Sequence, residues 1–171
     1  MMKQRSRTAL EQKARDWLYE RGVTIEDIGE LVYYLQSKYH DDLTMENCMY
    51  NVEKVLGKRE VQNAILTGIQ LDILAEKKQL ASPLQETIEV DESLYGVDEI
   101  IAFSIVNVYG SIGFTNYGYI DKQKPGILKK LNDKSTGQCH TFLDDIVGAI
   151  AAAASSRLAH SVAEDEDLDE E

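Results

Sequence analysis

Three short blocks of this chain carry residue types that could do chemistry together. The first is Asp98-Glu99, the second Asp121-Lys122-Gln123-Lys124-Pro125, and the third Leu143-Asp144-Asp145-Ile146-Val147-Gly148. Asp144 and Asp145 lie inside a run that is otherwise small and apolar, continuing through Ala151, Ala152, Ala153 and Ala154. A charge in such a run costs several kcal/mol unless it is paired or binds a cation. Four or five carboxylates gathered from separate helices form a hard-oxygen site suited to Mg²⁺ or Mn²⁺. A lysine beside them supplies the positive charge that a phosphate group needs. Such a site can polarise a phosphoryl oxygen and activate a bound water. The residues so assigned are Asp98, Glu99, Asp121, Asp144 and Asp145 for metal, and Asp144, Asp145 and Lys124 for catalysis.

Each block also has a plainer reading. Asp98-Glu99 could decorate a helix N-terminus, where carboxylates are favoured. Asp121 to Gly126 could be a surface turn. That reading is weaker for Asp144-Asp145, which small and apolar residues flank closely, and Gly148 one turn on leaves room beside them. His140, four residues before Asp144, reads as a cap-region histidine. Ser111 and Thr115 lie among Gly110, Gly113 and Gly118, a weak phosphate-loop pattern with no strand before it.

Helices must position these blocks. The run 141–160 is apolar on nearly every face, the pattern of a central helix surrounded by others. Helical spacing also marks 8–21, a segment opened by Thr24 as N-cap and ending near His40, one opened by Thr44 and stopped by Gly57, and 59–78. Ser82-Pro83-Leu84-Gln85 has the form of a capping box that opens a short helix to about Val90. The apolar segment 97–109 is rich in β-branched residues, but nothing near it alternates at period two, so a helix is expected. Gly110, Gly113 and Gly118 suggest a loop, and 127–131 a short helix. The fold class expected is all-α: a single-domain helical bundle over residues 1–162, followed by a disordered acidic tail at 163–171.

Composition narrows the function. Thirty acidic residues against 18 basic give a net charge of −12. That argues against general nucleic-acid binding and against electrostatic adhesion to anionic membranes. Cys48 and Cys139 form no paired motif, and a reducing, cytoplasmic setting is expected. No apolar stretch is long enough to cross a bilayer, which leaves at most peripheral membrane contact. Tyr33, Tyr34 and Tyr39 on one helix suit a subunit contact, so a homo-oligomer is expected.

The three blocks, in this order and spacing, resemble the phosphatidylglycerophosphatase A family, in particular its soluble, all-helical, YutG-like branch. The likeness covers about residues 91–150, and Asp91 falls where the family often has an acid. The resemblance implies Mg²⁺-dependent hydrolysis of the phosphomonoester of phosphatidylglycerophosphate, a step of phospholipid biosynthesis that releases phosphatidylglycerol and phosphate. The long hydrophobic helices and Gly-Thr-x-Gly-Ser block of the membrane-embedded members are not found in this chain. Two rival readings come from other classes. One is a non-catalytic helical oligomeric interaction protein, whose acids close ion pairs with Lys122, Lys124, Arg59 or Lys58. The other is a metal- or ligand-sensing protein without turnover.

Overall fold

A computed structural model describes residues 7–169, with their side chains as far as residue 161. Nine α-helices and no strand occur among the described residues: α1 Ala9–Glu20, α2 Ile25–Gln36, α3 Met45–Leu56, α4 Arg59–Glu76, α5 Leu84–Glu89, α6 Val97–Val106, α7 Ile112–Gln123, α8 Ile127–Leu131 and α9 Leu143–Asp169. The expected all-α bundle is the observed one. Helix α9 continues to Asp169, but nothing is described of its side chains from residue 162 onward. The expectation of a disordered acidic tail falls there and lies outside the described side chains.

Helix α9 is the axis of the bundle and packs against α2, α3, α4, α6, α7 and α8. Ala149, Ala151, Ala152, Ala153 and Ala154 are all fully buried. Their small side chains let neighbouring helices approach on every side, and alanine loses no rotamer entropy in doing so. Ser155 and Ser156 are buried too, and each hydroxyl donates to a carbonyl one turn back, Ala151 and Ala152 respectively. Helix α4 approaches closely at Gly68, where a Cβ would stand 2.3 Å from Ile146 Cδ1 and 3.0 Å from Phe142 Cβ.

The N-terminal half follows its caps. Thr24 forms a reciprocal capping box with Asp27, and Thr8 and Thr44 accept from Glu11 N and Asn47 N. Two expectations are corrected. Ser82 does not cap α5; the Gln85 amide instead turns back, donating to Ala75 O and accepting from Leu80 N. That ties α5 to the end of α4, which satisfies more buried backbone than a local box would. The glycine-rich segment is not a loop, because only Gly110, at φ +92°, breaks the chain. Gly113 and Gly118 lie within α7. Gly113 is there for space: a Cβ would meet Val106 Cγ1 at 2.9 Å and Ser156 Oγ at 3.0 Å. The helix preferred over a strand at 97–109 is α6, finished by a 3-10 turn at Asn107–Tyr109.

No described helix is long and apolar enough to cross a membrane. Tyr33 and Tyr34 of α2 are exposed, and so is Tyr39, which lies beyond the end of α2 at Gln36 rather than on the same helix as expected; Tyr34 stacks on Tyr119 of α7 with ring centroids 6.1 Å apart.

Candidate functional site

Helix α7 delivers the second block, which is therefore not a free surface turn. Asp121 lies in its last turn, and Lys124 is its C-cap in the left-handed region at φ +46°. That backbone turn aims the Lys124 side chain at α9. Its Nζ donates to Asp121 Oδ1 at 2.5 Å and to Asp144 Oδ2 at 2.8 Å. Asp144 and Asp145 occupy the first turn of α9, where the helix dipole favours negative charge. Both are buried, each 6% exposed. Asp144 Oδ1 accepts from Asp145 N at 2.9 Å, and Asp145 Oδ1 accepts from the Tyr117 hydroxyl at 3.1 Å.

Of the first block only Asp98 turns inward. It is buried and lies close enough to Asp145 to raise its pKa. Glu99, one position and about 100° further around α6, is exposed and makes no hydrogen bond or ion pair among the described residues. Lys122 also points outward. Asp91 adds negative potential at Asp144 from the other side and pairs with Lys134 Nζ at 3.4 Å. Gly148 leaves no void: a Cβ there would make ordinary contact with Ile120, Tyr117 and Leu128.

The result is a cluster with too little positive charge. Burial, then repulsion from Asp144 and Asp98, pushes Asp145 up to about 10. Burial raises Asp144 to about 6, with Lys124 opposing the rise. Burial disfavours the Lys124 ammonium, but Asp144 and Asp121 outweigh it and raise its pKa. The Tyr117 hydroxyl is held protonated by burial and by Asp145. Among the described residues no three His, Cys, Asp or Glu side chains already stand in a metal-binding arrangement. Lys124 Nζ takes the position between Asp121 and Asp144. The donor chemistry nevertheless fits a hard cation, since Asp98, Asp121, Asp144 and Asp145 are all oxygen donors and their shared field favours added positive charge.

Two contributors were missed in the sequence. Tyr117 lies in the glycine-rich segment where a loop is expected, and in the structure belongs to α7. Asp72 of α4 is fully buried and accepts from Phe142 N and Leu143 N, both at 3.0 Å, so it caps the start of α9 from 70 positions away. Burial lifts it to about 8, against the pull of those two N–H groups. A long-range cap leaves no local sequence signal; the only trace was an unpaired acid on an apolar face of α4.

A cleft of about 300 Å³ opens beside Asp144, lined also by Glu76, Lys78, Asp91, Lys134 and His140. Arg21 fixes one wall by pairing with Glu76 and donating to Cys139 O at 2.8 Å. His140 Nδ1 lies 3.0 Å from Leu131 O, which makes Nδ1 the protonated nitrogen. Burial lowers the pKa of His140 and keeps it neutral.

Known proteins share this sequence and fold. The chain is 74% identical over 151 residues to the uncharacterised Bacillus subtilis protein YutG, covering 88% of this chain and 91% of that one. It is 60% identical over 147 residues to the uncharacterised Bacillus subtilis protein YpjQ, covering 86% and 82%. Its fold matches the crystal structure of the low temperature requirement C protein from Listeria monocytogenes with a TM-score of 0.91 at 70% identity, over 92% of this chain and 99% of that one. The family model for phosphatidylglycerophosphatase A matches residues 21–160, a span that holds the carboxylates, Lys124 and the Asp72 cap alike. The chain belongs to the phosphatidylglycerophosphatase A family.

Proposed function

We propose that this protein is a Mg²⁺- or Mn²⁺-dependent phosphomonoester hydrolase whose substrate is phosphatidylglycerophosphate or a phosphomonoester of similar headgroup. The observation that carries the reading is Lys124 Nζ, held between Asp121 and Asp144 at the edge of a buried carboxylate cluster. Family membership supports the phosphatase class. Asp98, Asp121, Asp144 and Asp145 would hold the divalent ion, which when bound supplies Lewis acidity toward a phosphoryl oxygen and a more acidic water. Glu99 stands apart from that set, exposed on α6.

The chain's own residues have definable tasks. Lys124 is ionised throughout the physiological range and offers its ammonium to the non-bridging phosphoryl oxygens. Charge gathers on those oxygens in the transition state, so the interaction gains strength as the reaction proceeds. Tyr117 orients Asp145 through its hydroxyl, and Asp72 fixes the start of α9 on which both aspartates ride. Phe142, Leu143 and Ile146 exclude water from beneath the cluster. We propose a homo-oligomer in the cytoplasm, with the exposed tyrosines of α2 as the contact.

A second reading rests on the same lysine. The Lys124–Asp144 pair is one that a non-catalytic interaction or sensing protein would use as a structural buried bridge. Phosphate release separates the two. Phosphatidylglycerophosphate in mixed micelles and a panel of soluble phosphomonoesters are incubated with the protein, with Mg²⁺ or with chelator. Metal-dependent release from at least one substrate is expected. No release from any of them, with a melting curve indifferent to Mg²⁺, would favour the structural bridge.

A further inference from the structure

At the end of the bundle remote from Asp144, a second cleft collects positive charge in a protein of net charge −12. Arg7 comes from just before α1, Arg15 from within it, Lys54 from α3, Lys58 from the α3–α4 junction and Arg157 from α9. Only Glu11 and Glu53 oppose them in the lining. Those two acids are engaged by Arg7 and Arg15, with Arg15 Nη2 at 2.9 Å from Glu11 and 2.7 Å from Glu53. Lys54, Lys58 and Arg157 form no ion pair among the described residues.

The cleft is built rather than accidental. Buried Asn51 accepts from Arg157 Nη1 at 2.5 Å and is itself tied to Asn47 O, which fixes the guanidinium. The Tyr50 ring is flanked by two of these cations, Lys54 Nζ at 5.0 Å and Arg157 at 5.5 Å from its centroid. The Tyr109 side chain also lines the cleft, with its hydroxyl buried behind it. The volume is about 950 Å³, within the range of small-molecule sites. Arg157 lies about 20 Å along α9 from Asp144 at 1.5 Å per residue, so this is not the carboxylate site.

We propose that this cleft binds a small phosphorylated anion carrying at least two negative charges, such as a sugar phosphate or a nucleotide. Lys54, Lys58 and Arg157 meet the phosphate oxygens. The site stands on the rigid central helix whose other end carries Asp144 and Asp145.

The test uses the full chain and pyrophosphate as the probe, by titration calorimetry with chelator present and ionic strength held by chloride. Saturable binding to the wild type is expected. Lys54 and Lys58 are exposed, so Lys54→Gln with Lys58→Gln should leave the ligand-free melting curve unchanged. Affinity should fall at least about tenfold in that double variant, as expected for lost charge-assisted hydrogen bonds. Lys124→Ala, at the carboxylate site, should bind pyrophosphate as the wild type does. Absence of saturable binding would overturn the proposal. So would undiminished binding by the double variant, or binding lost in Lys124→Ala alone, which would place the anion at the carboxylate site.

Discussion

Replacing Asp145 by asparagine should stabilise the metal-free protein at neutral pH and do little at acid pH. Asp145 is buried, receives a hydroxyl from Tyr117, and has no cation of its own, since Lys124 pairs with Asp121 and Asp144. Its pKa is raised from 3.8 to about 10, first by burial and then by Asp144 and Asp98. A carboxyl whose folded pKa is raised binds its proton more tightly when folded. Stability is therefore full below the unfolded value and falls as pH rises toward the folded one. Between pH 3.8 and pH 7 the loss accumulates at about 1.36 kcal/mol per pH unit, or about 4 kcal/mol in all. Local relaxation and water reduce this, so the expected gain is about 2–4 kcal/mol. Asparagine is neutral at every pH and its amide oxygen can still accept from Tyr117. Urea unfolding followed by circular dichroism, with chelator at pH 4 and pH 7, reads the difference. The variant should be more stable at pH 7, and the two proteins should converge at pH 4. A variant equal to or less stable than wild type at pH 7, or a gain that persists unchanged at pH 4, would show that Asp145 carries no such buried-charge penalty.

Other consequences follow from the same geometry. Lys124→Ala leaves buried Asp144 without its cation and should cost about 1–3 kcal/mol, more than a loop position would, read by the same urea titration. Asp72→Ala strips two buried N–H groups at the start of α9 of their acceptor and should cost about 2 kcal/mol or more by thermal melting. Gly68→Ala forces a methyl into Ile146 and Phe142 and should cost about 1–3 kcal/mol. Mg²⁺ at about 100 times its dissociation constant should add about 2.7 kcal/mol to chelator-treated protein, and an unchanged melting curve would speak against a metal at the cluster.

Much of the fold was legible because its signals are local. Thr24, Thr44 and the apolar spacing behind them specify α2 and α3 without reference to the rest of the chain. The run of alanines behind Asp144 marked the central helix, since no exposed helix has use for so many small residues in sequence. Helix α7 was hidden because glycine reads as a breaker when its use is close packing, as at Gly113 against Val106 and Ser156. With α7 unseen, Asp121 and Lys124 looked like loop residues and Tyr117 had no evident task. The inward acids were legible as a set but not one by one: Asp98 and Glu99 are adjacent in sequence, and the turn of α6 alone decides that one is buried and the other exposed. Asp72 was out of reach, because its partners are 70 and 71 residues away and only the packing of α4 on α9 brings them together.

Lys124 and Asp144 are proposed to form one phosphomonoester-cleaving site. Its most direct test is phosphate release by wild type, Lys124→Ala and Asp144→Asn on the same substrate with saturating Mg²⁺, circular dichroism confirming that each is folded. Release by the wild type and loss of at least about a hundredfold in both variants is predicted, with Mg²⁺ binding kept in Lys124→Ala and weakened in Asp144→Asn. Wild-type rates in both folded variants would rule that site out.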